Sequence, residues 1–358
     1  MFLLWLPFTA VVQAHVGSPY ITIERYGQLH PEQPALMQAF AQQVEAEVIP
    51  QTTHQPHTIK VAAVYPGIQQ SDYWHRNMRA FQRRLERLGF SYQFDDYQFK
   101  PNTSLALQQQ AINKALAQDP DYLILTLDDP RQKRLIEQLL AQKRPKIILL
   151  NITTPLKDWE SHQPFFYAGF DHVEGTKKLT NAFFKLTANQ ENAIGLVYRR
   201  PGYVSRMRGG TFADLVHARG DKLSASFFTE SDVATSRTAT LRIIEQTPSL
   251  NMIFACSTDV ALGAIQAVND KGLKGKVLVN GWGGGDTELD AIQRGDMALT
   301  VMRMNDDSAI AMAEAIGNDL TGRQVPQIYS GRFVVVTQQH SAEQVQQFSN
   351  TAFRYSNP

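Results

Sequence analysis

The chain has 358 residues, with 35 Lys and Arg side chains against 34 Asp and Glu, so its formal net charge is +1. This balance excludes the basic excess that drives counterion release from DNA or RNA, which argues against a nucleic-acid-binding protein. Apolar residues make up 43% and charged residues 19%. The length suits two folded lobes of roughly 150 residues each, and this mixture is able to bury two cores.

The first fourteen residues, MFLLWLPFTAVVQA, are almost wholly apolar and carry no charge. The run is shorter than the roughly 20 residues that span a bilayer. Small side chains at Val12 and Ala14 precede a potential cleavage site before His15, so we expect a signal peptide over 1–14 and a mature protein in the periplasm. The alternative is a buried N-terminal strand. Because no basic segment precedes the apolar run, we expect the true start upstream of Met1.

A polar N-terminal extension over residues 15–56 follows, with one predicted helix at Ala35–Glu47 and a linker rich in Pro and Thr at 49–58. From there, short apolar runs alternate with segments of helical periodicity, an order typical of a parallel, doubly wound sheet. The predicted strands are 59–65, 90–94, 121–127 and 146–150. The predicted helices between them are Trp74–Leu88, Leu105–Ala117 and Arg131–Gln142.

A second series of the same kind follows an irregular stretch. Its predicted strands are 165–170, 192–198, 222–228, 252–256, 276–280 and 299–303. Its predicted helices are Val173–Leu186, Val204–Ala218, Ala234–Gln246, Val260–Asp270 and Glu288–Arg294, with a late helix at Asp307–Leu320 and an apolar run at 328–336. We therefore predict an α/β fold of two Rossmann-like lobes joined by a multi-strand hinge. The predicted N-terminal lobe is 57–154 plus 304–328, and the predicted C-terminal lobe is 155–303 plus 329–358.

Polar and aromatic side chains follow many of the predicted strands. In open parallel sheets, ligands bind beyond the carboxyl ends of the strands, so lobes that face each other with these ends would share one cleft. The cleft would suit a compact polyhydroxylated ligand, because Trp faces cover a sugar-like ring and Arg forks bind clustered or anionic oxygens. The side chains expected there are Gln69, Ser71, Trp74, Asn151, Ser205, Arg208, Ser257, Thr258, Asp259, Trp282 and Arg303.

Each of these side chains, taken singly, has a simpler structural explanation. Ser71, Ser257 and Thr258 suit helix N-caps. A Trp at the start of a helix suits the core, and a lone Arg suits a surface ion pair. The combination is more specific than its members, because separate strands place all of them at one edge.

Patterns for catalysis, metal binding and nucleotide binding do not occur in the sequence. The loop GWGGGD resembles a dinucleotide-binding loop, but Asp286 stands where its third glycine belongs. The nine histidines show no H-x-H or H-E-x-x-H spacing, and no G-x-S-x-G elbow is present. We therefore expect a binding protein rather than an enzyme, with no metal and no cofactor. The single cysteine, Cys256, ends an apolar run and is expected to be a buried, inert thiol.

Longer motifs from about residue 59 to the C-terminus carry a family resemblance. The segments IFACSTDVALGAIQAVNDKG and VLVNGWGGGDTELDAIQRGD resemble the second lobe of ribose- and galactose-type proteins of the type I periplasmic binding protein family, and YAGFDHVEGTKKL resembles the start of that lobe. A closer similarity is to the autoinducer-2 receptors of that family. It lies in VYPGIQQSDYW, NITTP, ACSTDVALGA, NGWGGG, VMRMNDD and AFRYSN.

The resemblance implies a fold that holds autoinducer-2, a furanosyl borate diester, between its lobes, with boron present only as part of the ligand. It also implies quorum-sensing signal transduction through the periplasmic domain of a LuxQ-type membrane sensor histidine kinase. The family pattern leaves Gln69 and Gln70 as alternatives in the first loop. Arg206, a basic residue beside Arg208, departs from the family pattern. The implied binding positions are Gln69, Ser71, Trp74, Asn151, Arg208, Thr258, Trp282 and Arg303.

Three classes of function remain open from the residues. The first is an autoinducer-2 receptor, and the second is the sugar-binding component of an ABC importer, which shares fold and cleft. Two arginines facing each other favour an anion over a neutral pentose. The third class is an enzyme or a ligand-controlled repressor, but residues 15–56 show one clear helix and no basic character, which argues against a DNA-binding helix-turn-helix.

Overall fold

The computed structural model describes residues 19–51, 57–142, 144–159, 162–188 and 191–357. The predicted signal peptide at 1–14 lies outside the described residues, as does the middle of the predicted linker. Within the described ranges, no helix has both the length and the apolar character needed to cross a bilayer.

Strands and helices alternate along the described chain. The strands are β1 (Ile59–Tyr65), β2 (Tyr92–Gln98), β3 (Tyr122–Thr126), β4 (Lys146–Leu150), β5 (Phe166–Gly169), β6 (Ile194–Val197), β7 (Leu223–Phe227), β8 (Met252–Ala255), β9 (Leu278–Gly283), β10 (Leu299–Arg303), β11 (Ile328–Ser330) and β12 (Phe333–Thr337). The helices are α1 (Ile23–Leu29), α2 (Gln33–Glu45), α3 (Tyr73–Leu88), α4 (Leu105–Leu116), α5 (Gln132–Leu140), α6 (His172–Leu186), α7 (Tyr203–Ser205), α8 (Thr211–Ala218), α9 (Val233–Gln246), α10 (Thr258–Asp270), α11 (Asp286–Gln293), α12 (Asn305–Leu320) and α13 (Ala342–Ala352). A π-helical turn, Arg206–Gly210, joins α7 to α8.

The strands form two six-stranded sheets, in the orders β11-β5-β4-β3-β1-β2 and β12-β10-β9-β8-β6-β7. Each pair of neighbouring strands in these sheets is parallel except β10 and β12, which are antiparallel. The predicted α/β fold of two Rossmann-like lobes is therefore confirmed.

The lobe boundaries differ from the predicted ones in two places. The second lobe was predicted to begin at residue 155, but β5 pairs with β4, for example at Ile148 and Phe166, so the first lobe continues through β5. The apolar run 328–336 divides into β11, which pairs with β5, and β12, which pairs with β10. Residues 329 and 330 therefore belong to the first sheet. Apolar periodicity identifies a strand, whereas its sheet is decided by the packing of distant segments.

Two further predictions were shifted or incomplete. The second strand was predicted at 90–94 and is observed at β2, because Gly89 ends α3 in a left-handed conformation and Phe90 packs into the core before the strand begins. The short helix α1 in the N-terminal extension was not predicted, although Thr22 caps it by accepting a hydrogen bond from the Arg25 backbone N–H. Polar residues dominate this helix, so it lacks a clear hydrophobic stripe.

Side chains of the central strands alternate between two layers of helices. In β1, Val61 and Tyr65 pack on the side of α3 and α12, while Ala62 and Val64 pack on the side of α4 and α5. The same alternation occurs in β8, where neighbouring residues enter different apolar clusters. Because helices cover both faces of each sheet, the carboxyl ends of the strands are left as the place where loops from both lobes meet.

The chain crosses between the lobes after β5, after β10 and between β11 and β12. The late helix α12 packs on α2 and α3 of the first lobe. After α13, Phe353 packs with the second lobe and Tyr355 with the first. Several covalent crossings at one side of the cleft form a hinge rather than a flexible tether between two independent domains.

Opposite lobes touch where the loop after β3 meets the loop after β6. The backbone N–H of Tyr203 donates to the Asp128 carbonyl oxygen at 2.8 Å, and the backbone N–H of Val204 donates to Asp128 Oδ1 at 3.1 Å. Arg199 Nη1 lies 3.1 Å from Asp128 Oδ2. A Cβ atom at Gly202 would lie 2.6 Å from the Asp128 carbonyl oxygen, so this closed contact requires glycine.

The substitution Gly202→Ala should therefore shift the protein towards an open form. Small-angle X-ray scattering should show a larger radius of gyration than in the wild type, and ligand affinity should fall because part of the binding energy is spent on closure. Gly210→Ala is the control, because Gly210 has a helical φ of −61° and its added Cβ would lie 3.8 Å from the nearest atom. Equal radii for Gly202→Ala and the wild type would contradict the interpretation.

Charged side chains from four segments meet at the hinge. Buried Asp307, in the first turn of α12, accepts a hydrogen bond from Arg354 Nη2 at 2.8 Å, and Arg332 lies 4.0 Å from its second oxygen. Glu45, at the end of α2, pairs with Arg332 at 3.0 Å. Burial is the main cause that raises the pKa of Asp307 from 3.8 to about 6, against the lowering effect of Arg354.

This raised pKa predicts a pH-dependent contribution to stability. A carboxyl group that binds its proton more tightly in the folded state stabilises the fold below its unfolded pKa, and that contribution is lost as the pH rises through about 6. The free energy of unfolding of the wild type, measured relative to Asp307→Asn, should fall by about 2 kcal/mol between pH 4 and 7. Urea titrations of both proteins across this range measure it, and a constant difference would argue against the assignment.

Candidate functional site

A cavity lies between the lobes at the carboxyl ends of both sheets. It offers about 40 Å³ to the centres of water-sized molecules, whereas one water needs about 10–15 Å³ in this measure. It is therefore a compact site. All eight predicted binding residues line it, together with four others: Gln69, Ser71, Tyr73, Trp74, Asn151, Arg199, Arg208, Ser257, Thr258, Asp259, Trp282 and Arg303.

The first lobe contributes the loop after β1 and the residue after β4. Gln69 donates through Nε2 to the Pro66 carbonyl oxygen at 2.9 Å, which fixes its amide beside the cavity. Asn151 has a left-handed backbone, with φ of +70°, and its backbone N–H donates to the Ala168 carbonyl oxygen at 2.8 Å. The buried Oδ1 atom of Asn151 has no hydrogen-bond partner in the part of the chain that the structure describes. A buried amide oxygen in this state is a vacant acceptor for a ligand donor.

The second lobe contributes residues from four strand ends. Arg208 lies in the π-helical turn, a local widening of the helix that is frequent at functional sites. Thr258 opens α10 and Trp282 lies in β9, while Arg303 is the last residue of β10. Gly283 has a φ of +149°, and an added Cβ would lie 2.8 Å from Arg303 Nη2. Glycine at this position leaves room for the Arg303 guanidinium.

The Arg208 guanidinium is held on several sides, and no acid of the described residues pairs with it. Its Nη1 donates to the Cys256 carbonyl oxygen at 2.9 Å, and its Nε and Nη2 lie 3.4 and 3.3 Å from His172 Nδ1. Its Cζ lies 3.5 Å from the centroid of the Trp282 ring, which is a cation–π contact. One face of Trp282 is therefore occupied by Arg208 and is not free for the sugar stacking expected from the sequence.

The Arg303 guanidinium lies over an aromatic ring of the first lobe. Its Cζ is 3.8 Å from the centroid of the Tyr73 ring and 5.8 Å from that of Trp282. Its Nε is buried, and none of the described residues forms a hydrogen bond with it. Stacking on aromatic faces lowers the cost of burying the charge while leaving N–H donors unused.

Both guanidiniums are buried, at 4% exposure for Arg208 and 6% for Arg303. Within the described residues, neither has a carboxylate at ion-pair distance, whereas the neighbouring Arg199 pairs with Asp128 at 3.1 Å. Burial, followed by the charge of Arg303, lowers the pKa of Arg208 well below its usual value. Burial also lowers the pKa of Arg303. Asp259 lines the same cavity, but its carboxylate is bonded to the loop at Gln70 rather than to either guanidinium. Two buried cations without a carboxylate at ion-pair distance are costly, so the arrangement is suited to a ligand that brings negative charge.

Asp259 joins the two lobes at the rim of the cavity. Its carboxylate accepts hydrogen bonds from the backbone N–H groups of Gln70 and Ser71, both at 3.2 Å. Burial is the main cause that raises the pKa of Asp259. Because Gln70 is engaged through its backbone and Gln69 lines the cavity, Gln69 is the glutamine that the structure places at the site.

The simpler explanations for single residues do not account for the cluster. Ser257 stands at the N-cap of α10 without a side-chain capping bond, whereas the Ser71 hydroxyl accepts a hydrogen bond from the backbone N–H of Tyr73 in the first turn of α3 at 3.5 Å. Ser205, expected at the cleft, is buried but does not line the cavity, and exposed Arg206 faces a separate groove. The indole N–H of Trp159 donates a hydrogen bond to Glu137 Oε1 at 2.8 Å, and Trp159 does not line the cavity.

Three residues at the site were not expected there from the sequence. Arg199 directly follows the predicted strand 192–198, so reading the first residue after each predicted strand would have found it. Tyr73 is the neighbour of Trp74 in the first turn of α3. His172 begins α6 and contacts Arg208, but a lone histidine at the start of a helix gives no distinctive sequence signal.

The glycine-rich loop after β9 is shaped by a buried acid. The Glu288 carboxylate accepts hydrogen bonds from the backbone N–H of Trp282 at 3.1 Å and of Gly284 at 2.7 Å, and from the Thr300 hydroxyl at 2.5 Å. These bonds fill the inside of the loop and hold Trp282 against the cavity. Among the described residues, no cluster of His, Cys, Asp and Glu has metal-binding geometry. Cys256 is buried as expected, and burial raises its pKa to about 12.

The chain is similar to known binding proteins and to solved structures. A curated relative, the fructose import binding protein FruE of Bifidobacterium longum, is 26% identical over 260 residues, which cover 70% of this chain and 76% of the relative. A solute-binding protein from Agrobacterium vitis, solved with bound D-fucose, has a TM-score of 0.72 and 18% identity, covering 82% of this chain and 99% of that one. A chain of the XylFII–LytSN complex has a TM-score of 0.67 and 15% identity, covering 80% and 100%.

The match to a protein family covers most of the chain. Residues 61–324 match the family described as the periplasmic binding protein domain, which agrees with the two-lobed fold and with the cavity between the lobes. The solved structures share the fold at low sequence identity. The chain belongs to the periplasmic binding protein domain family.

Proposed function

We propose that this chain is a periplasmic receptor, and not an enzyme, that binds autoinducer-2 as its furanosyl borate diester. The single observation that carries the proposal is the pair of buried guanidiniums, Arg208 and Arg303, that share one cavity without a carboxylate partner among the described residues. An anionic tetrahedral borate would supply the missing charge. The motifs that resemble LuxP-type receptors add support from the sequence.

The remaining polar groups suit the hydroxyl groups of such a ligand. Asn151 offers a vacant amide oxygen, and Ser71, Thr258 and the Gln69 amide stand around the same space. Hydrogen bonds to charged groups contribute about 1.5–3 kcal/mol each. Two arginines together with these groups would therefore account for micromolar affinity, about −8 kcal/mol.

The proposed signal is closure of the lobes. A ligand that touches both lobes binds the closed form better and shifts the population towards it. A shift from 1:99 to 99:1 needs about 5.5 kcal/mol of preference for the closed form. The proposed partner is the periplasmic domain of a LuxQ-type sensor histidine kinase, which would read the changed outer surface. The XylFII–LytSN complex is an example of a chain with this fold in a complex with a second protein.

The second candidate function is the sugar-binding component of an ABC importer. The comparisons favour it directly, because the curated relative is named a fructose import binding protein and the Agrobacterium vitis protein was solved with D-fucose. The same cavity would then hold a neutral sugar, and the closed form would be recognised by a permease. The charge of the ligand separates the two candidates.

A titration with and without borate tests the proposal. Binding is followed by the fluorescence of Trp74 and Trp282, using autoinducer-2 in buffer with boric acid, the same compound in borate-free buffer, and D-fructose. We expect removal of borate to weaken binding by about tenfold or more, since it removes the negative charge opposite the arginines. Arg303→Met, which keeps an apolar stem, should abolish this dependence on borate.

Arg206→Met is the matched control, because Arg206 is exposed and does not line the cavity. It should bind like the wild type in every buffer. Tighter binding of D-fructose than of the borated compound, with no effect of borate, would refute the receptor proposal and support the importer.

A further inference from the structure

We infer that His172 is a positioning residue that orients the Arg208 guanidinium towards the ligand and so sets the preference for a negatively charged one. This inference deepens the proposed function and rests on it. It starts from a buried side chain, with 1% exposure, that lies behind the cavity rather than in its lining.

The backbone at His172 is fixed by a helix cap. Asp171 is the N-cap of α6, and its Oδ1 accepts hydrogen bonds from the backbone N–H of Val173 at 2.9 Å and of Glu174 at 3.0 Å. The chain crosses between the lobes immediately before this cap, after β5. His172 therefore projects from a rigid helix start at the junction of the lobes.

The two ring nitrogens have different partners. Nε2 lies 2.9 Å from the Asn151 carbonyl oxygen, which only accepts, so Nε2 carries the hydrogen. Nδ1 is then left with a lone pair, and it accepts from Arg208 Nε and Nη2 at 3.4 and 3.3 Å. One imidazole thus joins the backbone of Asn151 in the first lobe to the side chain of Arg208 in the second.

The surroundings keep this imidazole neutral. Burial is the main cause that lowers the pKa of His172 well below 6.5, and the charges of Arg208, Arg303 and Arg199 lower it further. A second proton on Nδ1 would point an N–H group at a guanidinium. The neutral form with hydrogen on Nε2 is therefore the one that fits the contacts.

These contacts constrain Arg208 from several directions. The imidazole accepts hydrogen bonds from Arg208 Nε and Nη2, and the Cys256 carbonyl oxygen accepts one from Nη1. The Trp282 ring covers one face of the guanidinium. The His172 ring itself packs edge-on against Trp282, with centroids 5.2 Å apart. Because the guanidinium is already fixed, binding a ligand does not cost the entropy of ordering this side chain. The resulting gain in affinity is larger for a charged ligand than for a neutral one, since the charged ligand depends more on the position of the guanidinium.

Two substitutions separate the roles of the two ring nitrogens. His172→Asn places an amide oxygen near the position of Nδ1 and so keeps an acceptor for Arg208. His172→Gln places its amide near the position of Nε2, keeping a donor for Asn151 but removing the acceptor. We expect His172→Gln to weaken binding of borated autoinducer-2 by about 10-fold to 100-fold, while His172→Asn binds it like the wild type.

Binding of the compound in borate-free buffer distinguishes positioning from a general loss of structure. Both variants should bind the unborated compound alike, because orientation of the charge matters less for it. If His172→Gln binds the borated compound like the wild type, or if both variants lose borated and unborated binding equally, the inference is overturned.

Nitrogen-15 NMR of the histidine rings in the wild-type protein with bound autoinducer-2 gives an independent readout. We expect a neutral His172 with hydrogen on Nε2, and a proton on Nδ1 would overturn the inference. Failure of the wild type to bind borated autoinducer-2 would refute the proposed function and, with it, the selectivity role. If only the role assigned to His172 is wrong, binding of autoinducer-2 by the wild type will still depend on borate.

Discussion

The structure depends on one electrostatic constraint, which is that two guanidiniums are buried in the same cavity without a carboxylate partner among the described residues. Arg208 and Arg303 stack on Trp282 and Tyr73, and these contacts reduce the cost of burying the charges without neutralising them. Neighbouring groups are arranged around this constraint. Arg199 is paired with Asp128 across the lobes, and Glu288 is occupied by the loop that carries Trp282. The charge that remains is available for a ligand.

The scaffold brings these side chains together through topology. Both sheets direct the carboxyl ends of their strands at one gap, and the chain crosses the gap several times along one side. Closure then assembles the site from both lobes and makes contacts of its own, such as those of Asp259 with the loop at Gln70 and of Asp128 with Tyr203. Ligand binding and the shape of the whole molecule are therefore coupled through the same interface.

Much of the fold and the membership of the cavity could be predicted from the sequence, because both depend on local patterns. Strand periodicity gave the element order, and the rule that ligands lie after parallel strands selected Trp74, Asn151 and Arg303. The assignment of β5 to the first sheet could not be predicted, since an apolar run does not reveal its neighbours. The stacking of Arg208 on Trp282 and the role of His172 were equally hidden, because they depend on side-chain orientation across distant segments.

The most direct test of the central claim is the chemical identity of the ligand that the protein retains. Protein purified from cells that make autoinducer-2 is denatured, and the released small molecules are analysed for boron by elemental mass spectrometry and for charge. The account predicts a boron-containing anion in about equimolar amount with the protein. Release of a neutral sugar without boron, at comparable occupancy, would contradict it.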